Sequence, residues 1–270
     1  MKNSIKELRT FLILWSTQSL SQLGSSMTGF ALTLWLYQET GSALQTALLS
    51  ICSYAPYVVM SIFAGAFADR WDKKKTMLAC DTFAAFCSAA VLVLLETGQL
   101  MPVHMYLLNA VSGLMNTVQQ PASDVAMTMI TPEKYYQKTS GMRSFSNSLI
   151  TILNPMLATT VFSFAGMEAV VFIDLATFAA AFLALLFGVR ISPDKRQVPE
   201  KTESFRETVT SGLLYLRDNR MILTLILFLA GVNFVASAFD AALPALILPK
   251  ENGGEQVLGM VRSEEHTSEL

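Results

Sequence analysis

Gly65-Ala66-Phe67-Ala68-Asp69-Arg70-Trp71-Asp72-Lys73-Lys74-Lys75 separates two long apolar stretches, Leu44–Phe67 and Thr76–Leu95. Each stretch has the roughly 20 mostly apolar residues that a helix needs to cross a bilayer. The charged residues crowd into the short break between them. This pattern of apolar run, charged loop, apolar run recurs along the chain and decides the fold class.

Working outward, five further stretches have the same character: Thr10–Tyr37, Pro102–Met127, Thr139–Phe162, Ala169–Val189 and Met221–Leu248. Seven spanning helices are therefore expected, in an all-α membrane protein. Apolar residues make up 52% of the 270 and charged residues 15%, whereas soluble domains carry about 25% charged residues. The start Met1–Arg9 resembles the charged end of a signal peptide. The run after it is too long and too polar for one, so it reads as the first span.

Basic residues alternate between connections. Lys2, Lys6 and Arg9 come first, then Arg70 and Lys73–Lys75, then Lys134, Lys138 and Arg143, then seven between Arg190 and Arg220. All seventeen fall on one side of the expected topology, against Lys250 on the other. Cytoplasmic loops carry such an excess, so a cytoplasmic N-terminus and a plasma-membrane location are expected. No basic patch with interleaved aromatics exists, so nucleic acid is not an expected partner. Cys52, Cys80 and Cys87 lie in apolar runs and read as free thiols. His104 and His266 give no metal spacing, and neither a cofactor nor a metal is expected. No Ser–His–Asp or His-Glu-x-x-His arrangement speaks for an enzyme.

Four polar stripes follow helical spacing, which places each on one face. They are Gln18, Gln22, Ser25 and Gly29 in the first span, and Asn109, Gly113, Asn116 and Gln120 in the fourth. The fifth span has Asn147, Thr151, Asn154 and Ala158, and the seventh has Asn233, Ser237, Asp240 and Pro244. Polar residues at membrane depth face a cavity or a neighbouring helix. A shared cavity is the reading for the first, fourth and seventh. Among acids, Asp240 and Asp174 lie within spans and are the candidate proton carriers. Asp81 and Asp124 lie nearer the basic end, where a salt bridge from Asp124 to Arg70 or Lys73 is expected.

The loop that opened this reading, with Gly65, the Asp69-Arg70 pair four residues on and the basic Lys73-Lys74, resembles the signature loop of the major facilitator superfamily. Asp72 departs from it, where glycine is usual. The form Asp69-Arg70-Trp71-Asp72-Lys73-Lys74 is similar to the branch of macrolide-efflux and siderophore-export proteins. The resemblance extends to about Val261. It implies two six-helix halves, each of two inverted three-helix repeats, with residues 1–190 as the first half and 221–261 as the seventh helix and the start of the second. Between them, residues 191–220 form a charged linker. Ser204–Glu207 there reads as a capping box that opens an amphipathic helix through Phe205, Val209, Leu213 and Leu216.

The resemblance further implies a gate built from Gly65, Asp69, Arg70, Lys73, Lys74 and Asp124. It implies a small-molecule substrate, exported by alternating access with a coupling cation, from a protein that is monomeric at full length. A siderophore or peptide-like metabolite is the alternative cargo, and a non-transporting receptor or scaffold the alternative role. Asn109 stands where many drug exporters have a coupling arginine. Asn154-Pro155 with Ala158 and Thr159 is a reduced form of the antiporter motif. Residues 262–270 resemble a translated sequencing adapter, so the native sequence is expected to continue differently beyond Val261.

Overall fold

The computed structural model describes residues 7–189, 191 and 214–247, with the side chains of 61–70, 237, 238 and 240–247 outside that description. The expected linker helix over 204–213 and the tail over 262–270 also lie outside it. The described residues form α1 (Arg9–Thr40), α2 (Ala43–Arg70), α3 (Lys73–Glu96) and α4 (Pro102–Met129). A 3₁₀ turn over Glu133–Tyr135 then leads into a helical run, Tyr136–Leu183. Gly166 divides that run, with φ 79° and ψ 179°. We name its parts α5 (136–165) and α6 (167–183). A π turn, Ala184–Gly188, closes α6, and α7 is Arg220–Ile247.

The helix boundaries follow local chemistry. Gly41 ends α1 at φ 60°, and its N–H bonds the Tyr37 carbonyl. The left-handed conformation makes glycine the residue of choice there. Asp72 caps the start of α3, where its carboxylate accepts the Lys75 backbone N–H at 2.8 Å. This accounts for an aspartate in a loop that usually has glycine, since Asp is a preferred N-cap. His104 Nδ1 accepts the Met101 N–H at 3.3 Å and closes the start of α4. The helical angles continue through Pro155, and Gly166 is the break within the run.

Two apolar layers show that the helices run alternately up and down. One joins Phe11 and Leu14 of α1, Met77 of α3, Ala122 and Met127 of α4, Met142 of α5, and Leu185 and Val189 at the end of α6. The other joins Phe30 and Leu34 of α1, Leu49 of α2, Val91 of α3, Met105 of α4, Phe162 of α5, and Met167 and Val171 of α6. The beginnings of α1, α3 and α5 and the ends of α4 and α6 therefore meet in the first layer. Lys74, Lys134 and Arg143 all belong to that end. Within the bundle α1 packs mainly on the α5–α6 run and α2 on α4, with α3 against α4 and the α5–α6 run.

Among the described residues, three stretches are long and apolar enough to cross a membrane by length and composition: Ala43–Met60, Lys73–Glu96 and Glu133–Gly188. The polar stripes of α1 and α4 dilute those two helices. α7 meets the bundle through α2, and its described side chains, among them Leu225, Phe228 and Phe234, stay largely exposed.

Candidate functional site

Two buried carboxylates sit inside the bundle, each held by side chains from neighbouring helices. Asp81 of α3 is 3% exposed. Gln119 of α4 donates its Nε2–H to Asp81 Oδ1, and Gln18 of α1 donates to Oδ2 at 3.5 Å. The two carboxamides also meet, Gln119 Nε2 to Gln18 Oε1 at 3.5 Å. Asp174 of α6 is likewise 3% exposed. It accepts from Ser25 Oγ of α1 at 2.9 Å and from Ser88 Oγ of α3 at 2.7 Å. No lysine or arginine pairs with either acid among the described residues.

The two sites repeat along α1 and α3. Gln18 and Ser25 are seven residues apart on α1, and Asp81 and Ser88 are seven apart on α3. Seven residues of helix rise about 10.5 Å, so the acids occupy two levels two turns apart. Gly24 makes the outer level possible. A Cβ there would lie 2.5 Å from Thr177 Oγ1 and 3.0 Å from the Asp174 Cα, so only glycine lets α1 and α6 close to this distance.

The remaining expected cavity residues separate into distinct settings. Gln22, Asn116 and Gln120 are exposed, and Asn109 is half-buried. On α4 the exposed apolar side chains Val103, Leu107 and Val111 lie on roughly the opposite side from Asn109, Asn116 and Gln120 at 3.6 residues per turn. The helix thus shows two open faces, one aliphatic and one of carboxamides. Gly113 lies at the edge of the polar face but is buried against α2, where an added Cβ would strike the Ser53 carbonyl. Its role is packing. Gln18 and Ser25, expected at the cavity, are engaged with Asp81 and Asp174. Asn233 is exposed on α7 and donates to the Leu229 carbonyl of its own helix at 2.9 Å. The side chains of Ser237 and Asp240 lie outside the described residues.

The residues expected to form a gate lie toward the basic end. The backbone of Gly65, Asp69 and Arg70 forms the last turns of α2, and their side chains lie outside the description. Lys73 Nζ donates to the Trp71 carbonyl at 3.1 Å. Lys74 Nζ reaches across the bundle to the Leu186 and Val189 carbonyls. Asp124 pairs with Arg143 of α5; of the two expected partners, the Arg70 side chain lies outside the described residues. Lys73 turns back onto its own loop, whereas Arg143 sits on the helix that packs beside the end of α4. Glu7 and Lys134 meet at 2.5 Å and tie the start of the chain to the α4–α5 connection. That pairing lowers the Glu7 carboxyl below its ordinary range and raises Lys134.

The three cysteines are free, and no group of metal-binding side chains occurs among the described residues. The residue that stripe spacing overlooks is Gln119. It lies one position, about 100° of helix rotation, away from Gln120, and only the meeting of α1, α3 and α4 shows its role.

Comparison with known proteins agrees with this architecture. The chain is 25% identical over 244 residues to macrolide efflux protein A of Streptococcus pyogenes, covering 90% of this chain and 60% of that protein. It is 25% identical over 255 residues to the uncharacterized MFS-type transporter YfiS of Bacillus subtilis, covering 94% and 60%. It is 18% identical over 254 residues to the staphyloferrin A transporter of Staphylococcus aureus, covering 91% and 61%. The chain thus spans about 60% of the length of these relatives. Residues 14–259 match the Major Facilitator Superfamily, over nearly all of an all-helical bundle whose charged loop carries the same signature, and the chain belongs to that superfamily.

Proposed function

We propose that this chain is part of a secondary active transporter that exports an amphipathic, macrolide-like small molecule by alternating access, coupled to a cation. The observation that carries the reading is the two-faced α4. Val103, Leu107 and Val111 give it an aliphatic face suited to lipid, and Asn109, Asn116 and Gln120 a separate carboxamide face. Ligand sites combine apolar walls with a few placed polar groups. Gln22 of α1 adds to the polar face. An enzyme would need a nucleophile or acid–base pair in reach of this face, and the carboxamides offer neither.

In this reading the protein lies in the plasma membrane with the Lys74 end cytoplasmic. The support is the clustering of Lys74, Lys134 and Arg143 at one end of the bundle, where cytoplasmic loops carry their excess of Lys and Arg. Residues 65–75 act as the gate at that end, with Asp69 and Arg70 as its charged pair. Asp174 and Asp240 are the coupling acids of this reading. A siderophore is the second candidate cargo, on the strength of the similarity to the staphyloferrin A transporter.

The test measures accumulation of a radiolabelled macrolide in energised cells producing the transporter. Lower accumulation than in control cells is expected, with control levels returning in Asn116→Leu/Gln120→Leu. Equal accumulation with and without the protein, beside active export of labelled siderophore, would select the second cargo. Export of neither would sink the exporter reading.

A further inference from the structure

We propose that Asp81, clamped between Gln18 and Gln119, exchanges a proton in place and gives this bundle a proton site beyond the coupling acids of the transport reading, on which it rests. Three helices bring the group to one level. Gln18 lies nine residues inside α1 from Arg9, Asp81 eight inside α3 from Lys73, and Gln119 ten inside α4 from Met129. At 1.5 Å per residue these are about 12–15 Å from the helix ends, inside helices of 24 to 32 residues and on the basic side of their midpoints.

The chemistry of the clamp is the argument. A carboxylate fixed by a guanidinium is held in its ionised form, because arginine can only donate. A carboxamide both donates and accepts. With Asp81 ionised, its two oxygens accept N–H bonds from Gln18 and Gln119. When one proton arrives from water, the new O–H donates to the Oε1 of one glutamine after that amide rotates. Beyond the new O–H no covalent bond forms or breaks; the amide that rotates gives up the contact between the two carboxamides and keeps the acid hydrogen-bonded in both states. Release reverses the step. Unpaired charges at this depth are costly, and a site that satisfies both states avoids that cost.

The surroundings fit exchange. From α1 the acid meets Gln18 and from α4 Gln119. On its own helix, Cys80 is the adjoining titratable group, and Lys74 is committed to the Leu186 and Val189 carbonyls. From the α5–α6 run no acidic or basic side chain reaches it among the described residues. Both glutamines are half-buried, while Gln22 and Gln120 beside them are exposed. The clamp thus stands between the acid and the open polar face, where the proton enters.

Infrared difference spectroscopy of the purified chain in lipid vesicles, between about pH 5 and about pH 9, reads the carboxyl directly. A protonated-carboxyl C=O band is expected to appear on acidification, with a component that is lost in Asp81→Asn and returns at a displaced frequency in Asp81→Glu. A purely structural Asp81 would show no titrating band. The absence of any such band in the wild type, or an identical band in Asp81→Asn, would overturn the proposal. If Asp81→Asn does not fold, an Asp81→Glu band identical to wild type would overturn it equally. The spectrum requires no transport, so failure of macrolide export with the band present would count against the exporter reading alone.

Discussion

Lys74 closes the far end of the six-helix bundle on itself: its ammonium donates to the Val189 carbonyl at 2.7 Å, beside a second bond to Leu186 at 2.9 Å. The last carbonyls of a helix have no partner in the helix and carry its negative pole. A lysine from the start of α3 supplies both bonds and charge. Lys74→Met should lower stability in detergent by about 0.3–1 kcal/mol, read as an earlier thermal transition. Faster amide exchange should be confined to the end of α6. Unchanged exchange there would show that the contact is incidental.

Asp124 and Arg143 join α4 to α5 at the same end, with side chains 43% and 29% exposed. Pairs this open couple weakly, by about 0.2–1 kcal/mol. A double-mutant cycle with Asp124→Asn and Arg143→Gln should return a value in that range, falling as salt rises. The exchange Asp124→Arg/Arg143→Asp should recover part of it. Strict additivity of the single changes would mean that the pair contributes no coupling.

Gly113 marks the close approach of α4 to α2. A side chain there strikes the Ser53 carbonyl, which is helix backbone and cannot turn aside. Gly113→Val should destabilise by about 1–3 kcal/mol, the usual range for overpacking. Gly141, with nothing near its added Cβ, should accept Ala without loss. Equal tolerance at both positions, measured by thermal unfolding, would refute the close contact.

Glu7 and Lys134 form an exposed pair whose pH response has a definite sign. Pairing lowers the Glu7 carboxyl below its ordinary 4.5 and raises Lys134 above its ordinary 10.5. The Glu7 contribution is complete above 4.5 and is lost as pH falls through the lowered value. The Lys134 contribution is complete below 10.5 and is lost as pH rises through the raised one. Amide exchange at residues 7–12 should therefore stay slow through neutral pH and quicken at the acid end. Glu7→Gln should abolish that acid step. An acid step that survives Glu7→Gln would belong to another group.

The helices and their turns were legible because hydrocarbon imposes long apolar runs with little competing signal. The turn expected between Phe162 and Ala169 falls at Gly166, and the charged loop falls between α2 and α3. Contacts between distant residues were less legible. Asp124 shares its end of the bundle with several basic residues, and the packing of α5 beside α4 brings Arg143 to it. Asp81 reads as a residue close to the basic end until α1, α3 and α4 are seen to meet there. Stripe spacing identified a face through Gln120 and passed over Gln119, because one residue turns the side chain by about 100°. Ser25 shares its stripe with Gln22 yet serves Asp174, since spacing specifies a direction on one helix and not what stands opposite.

The central claim is that the polar faces of α1 and α4 line a substrate path that opens alternately. Single cysteines at Gln22, Asn116 and Gln120, with Cys52, Cys80 and Cys87 replaced by Ser, would test it through labelling by a small polar maleimide in membranes. Val103→Cys and Leu107→Cys, on the aliphatic face of α4, are the comparison. The account predicts that a macrolide slows labelling at 22, 116 and 120 and leaves 103 and 107 unaffected. Labelling that is the same with and without substrate at all three polar positions, or protection at 103 and 107 alone, would contradict it.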